Sequence, residues 1–253
     1  DLHSFPTRRS SDLAIKFISI ENNAFYGCSS LTEANFPECT DIGNYAFAKC
    51  SNLASVSFPE CTSIQYATFN NCDNLLQANF PKCTFLNTIA FQSCKNLLSI
   101  SFPNCVSIAS TAFSDCTALI EANFPECISV GASAFYSCLA LTEANFPKCT
   151  VVKDYAFEYC EALTSINFPE CTSIGRNAFD RCRALISVNF PNCTFISDYA
   201  FANCTELTSI KLPNCISIGY GAFYNCFNLL SLYLFGSSMV TLASSNVFSS
   251  GRI

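Results

Sequence analysis

Nineteen cysteines give this 253-residue chain its largest stock of reactive side chains. Thiols can ligate metal, cross-link or act as nucleophiles, and their spacing decides among these. They form one arithmetic series: Cys28, Cys39, Cys50, Cys61 and onward every eleven residues to Cys226. Structural zinc sites use cysteines two to four residues apart, often with histidine; a C-x10-C series offers neither. Neighbouring coils can bring cysteines within bridging range, but parallel, in-register partners orient poorly for a disulfide, and an odd count leaves one unpaired. A nucleophilic thiol needs a base beside it, and the single histidine, His3, lies outside the series. The leading reading is two ladders of buried, reduced thiols that pack as small hydrophobes with weak donors. Disulfides between coils and, further behind, metal ligation stay open as alternatives.

Other reactive types fit the same repeat. Glu38, Glu60, Glu126 and Glu170 recur at one rim position, where Lys82 and Lys148 interrupt the like charges. Gly43, Gly131, Gly175 and Gly219 mark turns, and no G-x-G-x-x-G phosphate loop occurs. Asn192-Cys193-Thr194 and Asn203-Cys204-Thr205 match a glycosylation sequon that the repeat composition generates by itself. No catalytic constellation, cofactor site or metal site is expected, and the chain reads as non-enzymatic. Net charge is −6, with both signs scattered. No basic stripe suggests nucleic acid, and no apolar run reaches the roughly 18 residues of a membrane span.

The positioning elements follow from the period. Phe precedes nearly every Cys by three, with Leu212 as a late exception, and an aliphatic residue follows by three, as in Leu31, Ile42, Leu53 and Ile64. Half-units alternate between Phe-Pro-x-Cys (Phe36 to Cys39) and Ala-Phe-x-x-Cys (Ala46 to Cys50), so the true period is 22. An eleven-residue apolar repeat can also make a right-handed helical coiled coil. Nine prolines at 22-residue intervals, from Pro37 to Pro213, exclude it, since each would cost about 3 kcal/mol inside a helix. The other solution is a chain that coils once per repeat and stacks equivalent positions into ladders.

The unit Leu31-x-x-Ala34-x-Phe36-x-x-Cys39-x-x-Ile42 resembles the leucine-rich repeat. The fuller unit Ile174-Gly175-Arg176-Asn177-Ala178-Phe179-x-x-Cys182-x-x-Leu185 resembles the BspA-like leucine-rich repeats of bacterial and protist surface proteins, over residues 15 to about 235. It departs from the commoner pattern in placing Phe before Pro and Cys in the second half-unit. The expected fold is a repeat solenoid: a right-handed leucine-rich repeat of about ten 22-residue coils, roughly 45–50 Å long at one strand spacing per coil. A parallel β-sheet is expected on one face, with short strands, turns and single helical turns on the other. The resemblance implies an extracellular or cell-surface scaffold that adheres to protein or cell-surface ligands, with no membrane insertion in this fragment. A spacer stalk, or a binding module of a larger protein whose enzymatic domain is missing, are the rival roles.

Residues 14–235 are expected to form the solenoid. Residues 1–13 fit no repeat position and read like a translated sequencing adapter, a non-native segment, so that native sequence begins in mid-coil. Residues 236–253 read as an irregular, truncated final coil in which Leu242 and Phe248 arrive late. The lack of a signal peptide is then a consequence of truncation.

Two surfaces are candidates for binding. The outward strand ladder carries Asn35, Asn79, Asn123, Asn145, Asn167 and Asn189, then Lys211 and Tyr233. Nine of the ten tyrosines fall on far-side turns. Tyr joins an apolar ring to a polar tip, which suits interfaces, and Tyr155, Tyr159, Tyr199, Tyr220 and Tyr224 are the candidate contact patch. For both surfaces the plainer alternative is solvated packing.

Overall fold

A computed structural model describes residues 17–234 and 241–242. The N-terminal segment 1–13 and Phe248 lie outside the described residues. Each 22-residue coil contributes one three-residue strand and one two-residue strand. The three-residue strands begin with Glu33–Asn35 and end with Ser231–Tyr233, and pair in parallel with their equivalents 22 residues away, as in Ala34 with Val56. Alternation sets their faces: Ala34 is buried while Glu33 and Asn35 are exposed. Of the two-residue strands, Ser19–Ile20 and Asp41–Ile42 pair with each other, and the nine from Ser63–Ile64 to Thr241–Leu242 form one parallel sheet. That last pairing sets Ile218 against Leu242, two residues later than the period would place it, matching the drift read from the sequence.

The strand face is less continuous than expected. It forms three sheets: Glu33–Asn35 to Ser99–Ser101, Glu121–Asn123 to Ser165–Asn167, and Ser187–Asn189 to Ser231–Tyr233. Elsewhere along this face a Phe amide crosses to the next coil, as Phe80 N donates to Ser101 O and Phe124 N to Asn145 O. No such bond joins Phe102 to Asn123 or Phe168 to Asn189. Each joint follows an inward isoleucine that is only half-buried, Ile100 and Ile166, whereas the fully buried Ile210 is followed by an intact pairing. Where the interior does not accept the larger side chain, the strand stands off from its neighbour.

The turn face corrects one expectation. Among the described residues no helical turn is present. Positive φ occurs twice per coil, at spacings of four, as at Tyr45 (φ 56°) and Lys49 (φ 60°), and falls on glycine only at Gly27 and Gly221. A left-handed residue breaks a helix. The alternation turns peptide groups along the stack instead: Tyr45 N, Phe47 N and Lys49 N donate to Tyr66 O, Thr68 O and Asn70 O of the next coil. A helix would satisfy these groups within one coil and leave the stack without them. Gly175 shows how closely coils approach, since an added Cβ would lie 2.5 Å from Asp154 N.

The interior is a column of phenylalanines. Phe113 stacks on Phe91 and Phe135 with ring centroids 5.3 and 5.2 Å away, and meets Phe102 edge-on at 6.0 Å. It is fully buried. Phe113→Ala is expected to lower unfolding free energy by about 3–5 kcal/mol, read from the urea midpoint. A loss below about 1 kcal/mol would mean the stack is not the dry core described.

Candidate binding surfaces

On the strand face, pairing register places the outward positions of each sheet in one file. Asn123, Asn145 and Asn167 lie directly opposite one another, as do Asn189, Lys211 and Tyr233. Asn145 Nδ2 donates to Asn123 Oδ1 at 2.8 Å and Asn167 Nδ2 to Asn145 Oδ1 at 2.7 Å. This amide ladder has a direction, and it occupies the middle sheet from joint to joint. Asn35 and Asn79 are exposed in the first sheet, with Ser57 between them in register. Asn189, Lys211 and Tyr233, with Pro213, line a depression of about 410 Å³. The strand-face positions singled out from sequence thus fall into three groups, one per sheet.

The tyrosines divide differently. Tyr199 meets Tyr220 edge-on at 5.4 Å and Tyr224 at 6.4 Å. Tyr159 instead meets Tyr136 at 5.5 Å and carries the Arg181 guanidinium over its ring at 4.6 Å. Arg181 also hydrogen-bonds the Tyr159 hydroxyl. Tyr155 is half-buried in the same coil as Tyr159. Between the two groups lies Asp180, buried, accepting from Asn177 Nδ2 at 3.0 Å and Asn203 Nδ2 at 2.8 Å. Burial, then the charge of Asp180, push the neighbouring Glu158 carboxyl up to about 7, against a smaller opposing effect of Arg181. A third group, Tyr26, Tyr45 and Tyr66, packs near the first coils, with Lys49 over the Tyr26 ring.

The thiols lie inside. All cysteines are free, and every one but Cys28 is buried. Two bonding patterns distinguish the half-units. Cys61 Sγ donates to Ser63 O two residues on, at 2.9 Å. Cys72 Sγ donates to Phe47 O of the preceding coil, at 3.1 Å. Burial pushes these thiols up, Cys50 to about 11 and Cys83 to about 12. A protonated, buried thiol is a poor nucleophile and a poor metal ligand. Among the described residues no group of three or more His, Cys, Asp or Glu could hold a metal ion. On the rim, Lys82 pairs with Glu60 at 2.6 Å and Lys148 with Glu126 at 2.5 Å.

Sequence reading passed over two features. Leu76, Leu98 and Ile120 form an exposed apolar column at the entry to the strand face. Their 22-residue spacing carries the signal, but an aliphatic residue at that spacing looks the same whether it faces inward or outward. Arg181, the cation on Tyr159, sits one coil beyond it at the equivalent position.

Comparison with known proteins agrees with this geometry. The chain matches the BspA type leucine rich repeat region over residues 18–139 and 128–252, in six copies. No curated protein matches it. Among solved structures, a leucine-rich repeat protein from Eubacterium ventriosum is 22% identical over 85% of this chain and 70% of its own, with a TM-score of 0.50. A leucine-rich repeat protein of T. pallidum is 27% identical over 66% of this chain and 71% of its own, at a TM-score of 0.48. A leucine-rich cell surface protein from Faecalibacterium prausnitzii is 20% identical over 90% and 86%, at 0.39. The family match spans nearly the whole described solenoid, and the chain belongs to the BspA-type leucine-rich repeat family.

Proposed function

We propose that this chain is a cell-surface adhesion scaffold that binds an extended protein ligand across its strand face. The carrying observation is the register-aligned file of exposed side chains, amides in the middle sheet and Asn189, Lys211 and Tyr233 around a depression in the last. Such a file offers many weak polar contacts to one extended chain, whose affinities combine when they engage together. Family membership supports a protein-interaction scaffold; adhesion and surface location are the finer reading. Among the described residues no helix is long and apolar enough to cross a membrane.

The test is capture of surface proteins by the immobilised chain, compared with Asn123→Lys, Asn145→Lys and Asn167→Lys combined. Capture is expected to fall by at least about tenfold, with unchanged circular dichroism. Equal capture by the variant would move binding elsewhere. The ring contacts of Tyr199 with Tyr220 and Tyr224 favour the turn face as a second reading. In that case replacing Tyr155, Tyr159, Tyr199, Tyr220 and Tyr224 with Ser abolishes capture while the Asn variant retains it. A spacer stalk captures nothing specific in either form.

A further inference from the structure

The first joint in the strand face opens a groove of about 390 Å³ between Ser99–Ser101 and Glu121–Asn123. Its floor is Ile100 and Phe102, and its rims are Leu98 and Ile120 on one side and Pro103 and Pro125 on the other. Two features separate it from an ordinary dip between coils. The peptide groups that line it do not pair with each other across the gap, because the sheet is interrupted there. The coils nevertheless stay in contact there, with Phe102 and Phe124 stacked at 6.0 Å, so a ligand lies over the groove and adds no strand between them. The apolar rim also continues outside the groove through Leu76, so that aliphatic surface stays exposed over three successive coils.

Charge identifies the occupant. Glu121 lines the groove, and its register partner in the next coil is Glu143. Both are exposed. Like charges directly opposite in a sheet destabilise it. The ion pairs among the described residues are Lys82–Glu60, Lys95–Asp73, Lys148–Glu126 and Arg183–Glu161, none of which reaches these two carboxylates. A guanidinium matches such a pair of acceptors, with donors in a planar fork. We propose that this joint docks an extended polypeptide that sets a large aliphatic side chain between Leu98 and Ile120 and an arginine against Glu121 and Glu143. The carboxylate pair begins in the groove wall at Glu121 and ends one coil, about 4.8 Å, further on at Glu143. Residues i and i+2 of an extended ligand, about 6.6 Å apart on one side, span it with the reach of an arginine side chain.

The inference rests on the strand face being the binding face and adds which segment it takes. The probe is a fluorescein-labelled peptide, Gly-Ser-Leu-Ser-Arg-Ser-Gly, titrated against the full chain by anisotropy. Binding is expected below about 1 mM, weakening with salt. Replacing Leu by Ser or Arg by Glu in the peptide is expected to weaken it at least about tenfold. Ile120→Ser and the pair Glu121→Gln, Glu143→Gln should do the same with an unchanged circular dichroism spectrum. No binding at about 1 mM, or equal binding by these peptides or variants, overturns the proposal. Capture that is lost in the Asn variant but kept in Ile120→Ser and Glu121→Gln, Glu143→Gln sinks the joint alone. Capture kept by all of them sinks the strand-face reading as well.

Discussion

Raised through about pH 9 to 11, the protein is expected to unfold in one steep step, followed by circular dichroism in the presence of reductant. The cause is the thiol column. In an unfolded chain a cysteine ionises near pH 8.5. In the fold, burial holds Cys50, Cys61 and Cys149 up to about 11, and Cys83, Cys127, Cys171 and Cys226 up to about 12. The folded state therefore keeps protons that the unfolded state has released. The stability contributed by neutral burial is fully present below the unfolded value and is lost as pH rises toward the folded ones. Each thiol supplies a slope of about 1.4 kcal/mol per pH unit. A domain is stable by about 5–15 kcal/mol in total, so about a dozen of the buried cysteines titrating together exceed the whole of it within one unit.

Tyrosine and lysine also titrate in this range, so the assignment needs a control. Replacing Cys72, Cys94 and Cys116 with Ala removes three neighbours from one ladder, where each Sγ donates to a Phe carbonyl of the preceding coil. The alkaline midpoint is expected to rise in that variant relative to its own neutral-pH stability. A transition that is absent up to about pH 11, or indifferent to the cysteine replacements, would show that the thiols do not sit in the dry interior.

Much of this arrangement is written in residue spacing. Phe36, Cys39 and Ile42 recur because they point inward, and inward positions tolerate little variation in volume. Glu33, Ala34 and Asn35 alternate in polarity, so their strand and its exposed face could be read directly. The shared rim position of Glu60, Lys82, Glu126 and Lys148 followed from the period, and stacking brings Lys82 to Glu60 and Lys148 to Glu126. Other features depend on quantities that spacing does not carry. Asp41–Ile42 and its equivalents are strands of two residues, too short to show alternation. The left-handed residues of the turn face include Tyr45, Lys49, Tyr155 and Arg181, side chains that carry no conformational signature of φ > 0. The turns are selected by hydrogen bonds to the next coil, which exist only once the stack has formed.

The same distinction applies to the surfaces. That Asn123, Asn145 and Asn167 form a file follows from the period; that their amides bond in one direction does not. The joints after Ile100 and Ile166 depend on how deeply each isoleucine enters the core, and Ile210 carries the same residue type without a break. Tyr199, Tyr220 and Tyr224 come together because they occupy adjacent columns in successive coils, while Tyr159 turns to Tyr136 and Arg181. Sequence separation alone ranked these five tyrosines alike.

Counting reactive thiols by mass spectrometry tests the stacking most directly. Alkylation with iodoacetamide at neutral pH should modify Cys28 and leave the other cysteines of the folded protein untouched. After denaturation without reductant, all nineteen cysteines in the sequence should react. Rapid labelling of several interior positions in the native protein, Cys72, Cys94 or Cys116 among them, would contradict a column of coils closed around a shared core. Fewer than nineteen labelled sites after denaturation would show instead that neighbouring coils are joined by disulfides.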